Sequence, residues 1–177
     1  MVEQLLDSPL AREVVVFVLS MLPVVELRGA LPVAMNLMGM PWHKAFLLAI
    51  AGNLLPVPFL LLFLESIARW VSRVDIGKRL VDWVFQRTRR QGRMIERYER
   101  IGLALFVAIP LPMTGAWTGS IAAFLLGVKF SRALLSIAVG VIIAGVVVTC
   151  LCLLGWVGAV IAGVGLCSLA VAGLWKT

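Results

Sequence analysis

The chain contains an apolar run that interrupts its own backbone. Residues 14 to 42 are almost wholly hydrophobic, yet Pro23-Val-Val-Glu26-Leu-Arg28-Gly29-Ala-Leu-Pro32 lies at their centre, with two prolines and two opposite charges. Proline inside a helix removes a hydrogen bond and clashes with the preceding turn. In hydrocarbon the freed backbone groups find no water, so such a break survives only where protein or a water-filled cavity covers it. An ionisable side chain at that depth is costly and marks a functional site by default. A second run, Ile101 to Val128, is broken without any charge at Pro110-Leu-Pro112-Met-Thr114-Gly115-Ala-Trp117-Thr118-Gly119. Two interrupted apolar segments at matching places in two halves point to a binding site between them.

The membrane setting follows from bulk properties. Hydrophobic residues make up 62% of the 177, charged residues 14%, and the mean hydropathy is +1.04, well outside soluble composition. Ala45 to Ala68 and Ala133 to Leu154 exceed the roughly 20 apolar residues that cross hydrocarbon. Glu3, Asp7 and Glu13 against Arg12 are not the basic start of a signal peptide, so the first apolar segment is expected in the mature protein. The length is that of one polytopic domain, residues 1–177. Cys150, Cys152 and Cys167 all fall in apolar stretches with no His or carboxylate beside them, which suits small buried hydrophobes better than metal ligands or a disulfide framework.

Internal similarity organises the chain. At an offset of 88, Gly39 matches Gly127 and Gly52 matches Gly140, while Trp42 falls on Phe130, Lys44 on Arg132 and Glu26 on Thr114. Each unit reads as an apolar run, a broken centre, an apolar run, Gly, an aromatic, a base and a long helix. Of the 16 Lys and Arg, ten lie between: Arg69, Arg73, Lys78, Arg79, Arg87, Arg89, Arg90, Arg93, Arg97 and Arg100. The positive-inside rule places this loop, about 71–100, in the cytoplasm. Had each interrupted stretch crossed completely, Lys129 and Arg132 would lie outside, against that rule. A re-entrant hairpin keeps them inside, and Val14–Leu22 or Leu31–Met40 rises only about 15 Å as a helix, half the core. The alternative is five complete helices, two of them proline-kinked.

The expected architecture is therefore an all-α integral membrane protein. It has two inverted repeats (about 9–70 and 101–154), each a re-entrant helical hairpin plus a long transmembrane helix, and an extra C-terminal helix over 156–174. Ile76, Leu80, Trp83 and Val84 form one amphipathic stripe in the loop, and Met94, Ile95, Tyr98 and Ile101 a second. Two short helices on the inner leaflet satisfy both, each base near anionic lipid contributing about 1 kcal/mol. A lone basic loop tethered to a membrane argues against nucleic acid as its partner.

Glu26 is the one carboxylate in the apolar segments that cannot readily reach an interface, Glu65 lying near a helix end beside Arg69. A carboxylate that gains and loses a proton as its access alternates is the minimal device for proton coupling. The structural reading is an ion pair with Arg28, which requires the backbone to break, since residues two apart face different sides of a helix. The Arg28 guanidinium beside Gly29 suits a carboxylate or phosphate, and half-helix N-termini after the break add positive partial charge. Thr114 and Thr118, one turn apart, offer two hydroxyls on one face, with Trp117 to shield a substrate. Asn53, mid-helix, is a polar lining residue or a helix–helix hydrogen bond. His43 belongs at the interface with Trp42 and Lys44. The candidate substrate and ion site is thus Glu26, Arg28, Gly29, Pro32, Asn53, Pro110, Pro112, Thr114, Gly115, Trp117 and Thr118. No catalytic constellation, metal cluster or cofactor motif is present in the sequence. Gly158 and Ala162, four apart, allow close helix packing, either within the chain or at a homodimer face.

Glu26-Leu-Arg28-Gly29-Ala30-Leu31-Pro32 and Pro110-Leu-Pro112-Met-Thr114-Gly115-Ala116-Trp117 resemble the small multidrug export proteins of bacteria and archaea, over about residues 10 to 155. That family is in turn similar to the DedA and VTT-domain membrane proteins, which the resemblance credits with two facing re-entrant hairpins and with moving lipids or lipid phosphates between leaflets. Their further acidic and arginine motifs are missing from the second half here. Three functions are consistent with these features. The leading one is a proton-coupled secondary transporter of the inner cell membrane exporting a small amphipathic substrate. The second is a lipid-phosphate (polyprenyl phosphate or phospholipid) translocase or scramblase. The third is a non-transporting assembly factor docked through its basic loop.

Overall fold

Ser8 and Pro9 open the first helix: the Ser8 hydroxyl accepts the Ala11 N–H at 3.2 Å, and proline occupies the first turn, where its missing donor costs nothing. The computed structural model describes residues 8–71, 92–109 and 114–155, with 157, 158 and 160, and every element among them is helical. The elements are α1 (Pro9–Met21), α2 (Glu26–Pro32) running into a π turn (Val33–Leu37), α3 (Trp42–Leu54), α4 (Pro56–Val71), α5 (Gly92–Ala108), α6 (Ala116–Leu125) and α7 (Phe130–Leu153). Trp42–Leu64, which takes in α3 and the start of α4, and Phe130–Leu153 are each long and apolar enough to cross a bilayer.

The first break is narrower than the sequence suggested. Leu22, forced out of the helical region by Pro23, is extended (φ −70°, ψ 138°), and α2 has already begun at Glu26. Arg28 and Gly29 are therefore helical, and the second arm starts five residues before the expected Leu31. Pro32 cannot donate to the carbonyl of Arg28, and the helix widens into the π turn directly after it. The arms fold back on each other, since Arg12 Nη1 reaches the Met38 carbonyl at 3.4 Å. α3 then runs parallel to α1: Lys44 meets Glu13 at 3.2 Å near their starts, and Gly52 lies against the Phe17 carbonyl and Ser20 near their ends.

Local conformations recur at the offset of 88. Gly39 (φ 62°) and Gly127 (φ 67°) both take the left-handed conformation that ends a helix, and α3 and α7 begin three residues later at Trp42 and Phe130. Gly140 lies against Ala104 and Val107 on α5 much as Gly52 lies against α1. The second loop stripe behaves differently from expectation. Met94, Ile95, Tyr98 and Ile101 lie on α5, one continuous helix to Ala108, and not on a separate short helix. The first stripe, Cys167 and most of the expected C-terminal helix (156–174) lie outside the described residues.

Alanines fill much of the interior beside Leu27, Leu31 and Ile137, while many large side chains face outward. Ala30, Ala34, Ala45, Ala49, Ala133 and Ala144 are fully enclosed, while Leu47, Phe59 and Leu135 are about two-thirds exposed. Water would drive the reverse arrangement. In lipid, association rests on close packing, which small residues permit.

Candidate functional site

The two breaks meet. At the first, Glu26 has φ 49°, the one positive φ among described non-glycine residues. Such a conformation costs on the order of 1–3 kcal/mol and persists where surrounding contacts impose it. Here it accompanies a buried carboxylate that reaches the start of α6. Its oxygens accept the backbone N–H groups of Ala116 and Trp117, the latter at 3.4 Å. These are the orphan donors at the start of α6, where the helix dipole favours negative charge. Gly115 leaves room for the carboxylate, because a Cβ at that position would displace it.

Arg28 serves the other side of the same break. Its Nη2 donates to the carbonyls of Val107 (3.0 Å), Ile109 (3.0 Å) and Thr114 (3.1 Å), which lie at the end of α5 and the last residue before Gly115. A cation at a helix C-terminus and an anion at a helix N-terminus each complement the local dipole. The two charges on α2 thus complement the end of α5 and the start of α6. A return contact fixes the pair, as Trp117 Nε1 donates to the Met21 carbonyl at the end of α1 at 3.0 Å.

The remaining sequence candidates divide. Thr114 lies outside α6, and its hydroxyl donates to the Ile109 carbonyl at 2.8 Å, while Thr118 donates to the Gly115 carbonyl at 3.2 Å. Each hydroxyl is tied to the backbone of the break, so they do not form the expected pair on one helical face. Gly29 gives room to Val25, whose Cγ1 would lie 2.6 Å from an added Cβ. Pro32 sits in α2 at the onset of the π turn. Asn53 is fully buried in α3, and neither its amide nitrogen nor its oxygen has a hydrogen-bond partner. Pro110 and Pro112 lie outside the described residues. His43 stacks edge-on with Trp42 at 5.8 Å at the start of α3.

Sequence reasoning missed an apolar groove of about 590 Å³ between α4, the end of α1 and the start of α6. Its lining includes Met21, Leu55, Pro56, Phe59, Phe63 and Trp117. Apart from Trp117, already a candidate, these residues carry no sequence signal beyond the neighbouring prolines Pro56 and Pro58. Among the described residues no cluster of His, Cys, Asp or Glu could hold a metal ion.

The family model described as "Putative small multi-drug export protein" matches residues 26–147, from Glu26 itself to within α7. The chain belongs to that family. The match begins where the first break gives way to α2, takes in the second break, and holds every cross-contact described above between the two except that to the Met21 carbonyl. No curated protein and no solved structure matches the chain. With its long apolar helices, membership makes this a membrane protein, and the family's name gives it a transporter-type role.

Proposed function

We propose that this protein is a proton-coupled secondary transporter of the inner membrane that exports a small amphipathic substrate, with Glu26 as the proton site. The observation that carries this reading is the position of Glu26, a buried carboxylate in a strained conformation holding the opposite hairpin by the N-terminus of α6. Protonation removes the charge that α6 attracts and weakens a charge-assisted contact worth about 1.5–3 kcal/mol. Loss of the proton restores it. A proton arriving from one side and leaving to the other would alternately part and rejoin the two tips. Arg28, Gly115 and Thr114 are positioning residues in this scheme, and Trp117 forms the substrate wall.

Packing supports the inverted, re-entrant arrangement that the charge distribution favours. The long crossing packs its first half, α3, on α1 and α2, and its second half, α4, on α6. Hairpins entering from opposite faces would lie at successive levels along one crossing helix in this way. With the basic loop in the cytoplasm, α5 and α6 lie toward the inner leaflet and α1 and α2 toward the outer.

The groove favours a second reading, a lipid-phosphate translocase that needs no ion gradient. Flux in proteoliposomes separates the two, with a cationic dye and labelled polyprenyl phosphate offered separately to wild type, Glu26→Gln and Arg28→Ala. The exporter reading expects gradient-driven dye movement that falls at least tenfold in Glu26→Gln. Gradient-independent transfer of the lipid phosphate, lost in Arg28→Ala, overturns it.

A further inference from the structure

The groove beside Trp117 has a length, a direction and a charged surrounding that together identify an occupant. It follows α4 from Leu55 at the depth of the two breaks to Ser66. Eleven residues of helix rise about 16 Å, close to half of the roughly 30 Å hydrocarbon core, which is the depth of one leaflet. Its wall is apolar throughout except for Ser66, whose hydroxyl donates to the Leu62 carbonyl at 2.9 Å, and the Trp117 indole, whose N–H is held by Met21. Phe59 (68% exposed) and Phe63 (63% exposed) flank it on the surface that faces lipid, so it opens sideways into the bilayer and not toward water.

We infer that this groove binds one acyl chain of an anionic phospholipid of the inner leaflet. The head group then lies at the Ser66 end, and the chain end lies against Trp117 beneath Glu26. Charge decides for an anionic head. Arg69 follows Ser66 by one turn on α4. Each base near the surface favours an anionic over a neutral lipid by about fivefold. The site rests on the topology proposed above, which turns Ser66 toward the cytoplasmic face, but not on proton coupling. It supplies a lateral path by which an amphiphile reaches the Trp117 wall from the membrane.

The test uses the full-length chain in bilayers of neutral phosphatidylcholine, with Trp42, Trp70, Trp83, Trp156 and Trp175 replaced by Phe so that Trp117 alone reports. Phosphatidylglycerol brominated on its acyl chains is added at low mole fraction, and brominated phosphatidylcholine serves as the comparison. We expect the anionic lipid to quench Trp117 fluorescence at about one-fifth of the concentration that the neutral lipid requires. Arg69→Gln should narrow that ratio, and Ser66→Phe, which fills the head-group end of an exposed face, should reduce quenching by both lipids. Equal quenching by the two lipids overturns the inference, as does preferential quenching that Ser66→Phe leaves unchanged. Protection of Trp117 from both lipids, with disulfide trapping of Phe63→Cys into a dimer, assigns the groove to a second copy and also overturns it. Proton-driven flux is measured on the same samples. Preferential quenching without flux sinks the exporter reading alone, and flux without lipid preference sinks this inference alone.

Discussion

One nitrogen of Arg28 donates to three backbone carbonyls, the contacts of a cap on the end of α5. A clamp for a carboxylate or phosphate uses the planar two-nitrogen fork that only arginine has. Three acceptors gathered around a single nitrogen also suit the three donors of an ammonium. Arg28→Lys is therefore expected to keep thermal stability within about 1 kcal/mol of wild type, while Arg28→Met, which leaves the carbonyls without their donor, costs about 3 kcal/mol or more. Thermal unfolding of the purified protein in detergent measures both, and equal losses would refute the capping role. Asn53 poses the opposite case. A fully buried amide without partners is a standing cost, and an apolar side chain of similar size removes it. Asn53→Leu is expected to stabilise by about 1–3 kcal/mol in the same measurement, and a loss of stability would mean that the amide has a partner in the membrane.

The elements depend on close approach at a few glycines. Gly52 lets α3 touch the Phe17 carbonyl on α1, and Gly140 lets α7 touch Ala104 and Val107 on α5. A side chain at either position meets backbone, together with the buried Ser20 hydroxyl at Gly52 and a packed valine at Gly140. Gly52→Leu and Gly140→Leu are each expected to cost about 3 kcal/mol and to lower the unfolding temperature clearly, whereas Gly102→Leu, with nothing within 4 Å of its Cβ, should leave it nearly unchanged. The glycine pairs were legible in the sequence because a repeat preserves the positions where backbones touch. The breaks were legible too, since proline and charge have no place in a regular apolar helix. What the sequence could not reveal is where each break begins and which atoms close it. Glu26 enters α2 through a positive φ that no local propensity predicts, and the carbonyls of Val107, Ile109, Thr114 and Met21 carry no residue signature. Thr114 and Thr118 were misread as partners because helical spacing was applied across Gly115, where the helix has only just begun. The groove escaped notice because it is a relation between α4 and α6, and neither helix announces it alone.

At the scale of the whole molecule, the inverted arrangement makes a demand that five complete crossings do not. With the basic loop inside, a hairpin that returns to its own side leaves the start of α7 in the cytoplasm and its end outside. A complete crossing exchanges those two locations. Lys129 and Arg132 at the start of α7 favour the first arrangement, because cytoplasmic segments carry the excess of Lys and Arg. The two packing levels along α3 and α4 favour it independently, since a second hairpin entering from the same face as the first would lie against α3 and not α4. In a background with Cys150, Cys152 and Cys167 replaced by Ala, Lys129→Cys and Leu154→Cys place one thiol at each end of α7. An impermeant maleimide applied to intact spheroplasts is expected to label Leu154→Cys and to miss Lys129→Cys until the membrane is opened. The reverse pattern would establish complete crossings. It would also carry the Glu26–Gly115 contact out of the centre of a two-sided site, because both hairpin tips would then lie within continuous spans with no face of their own to open toward.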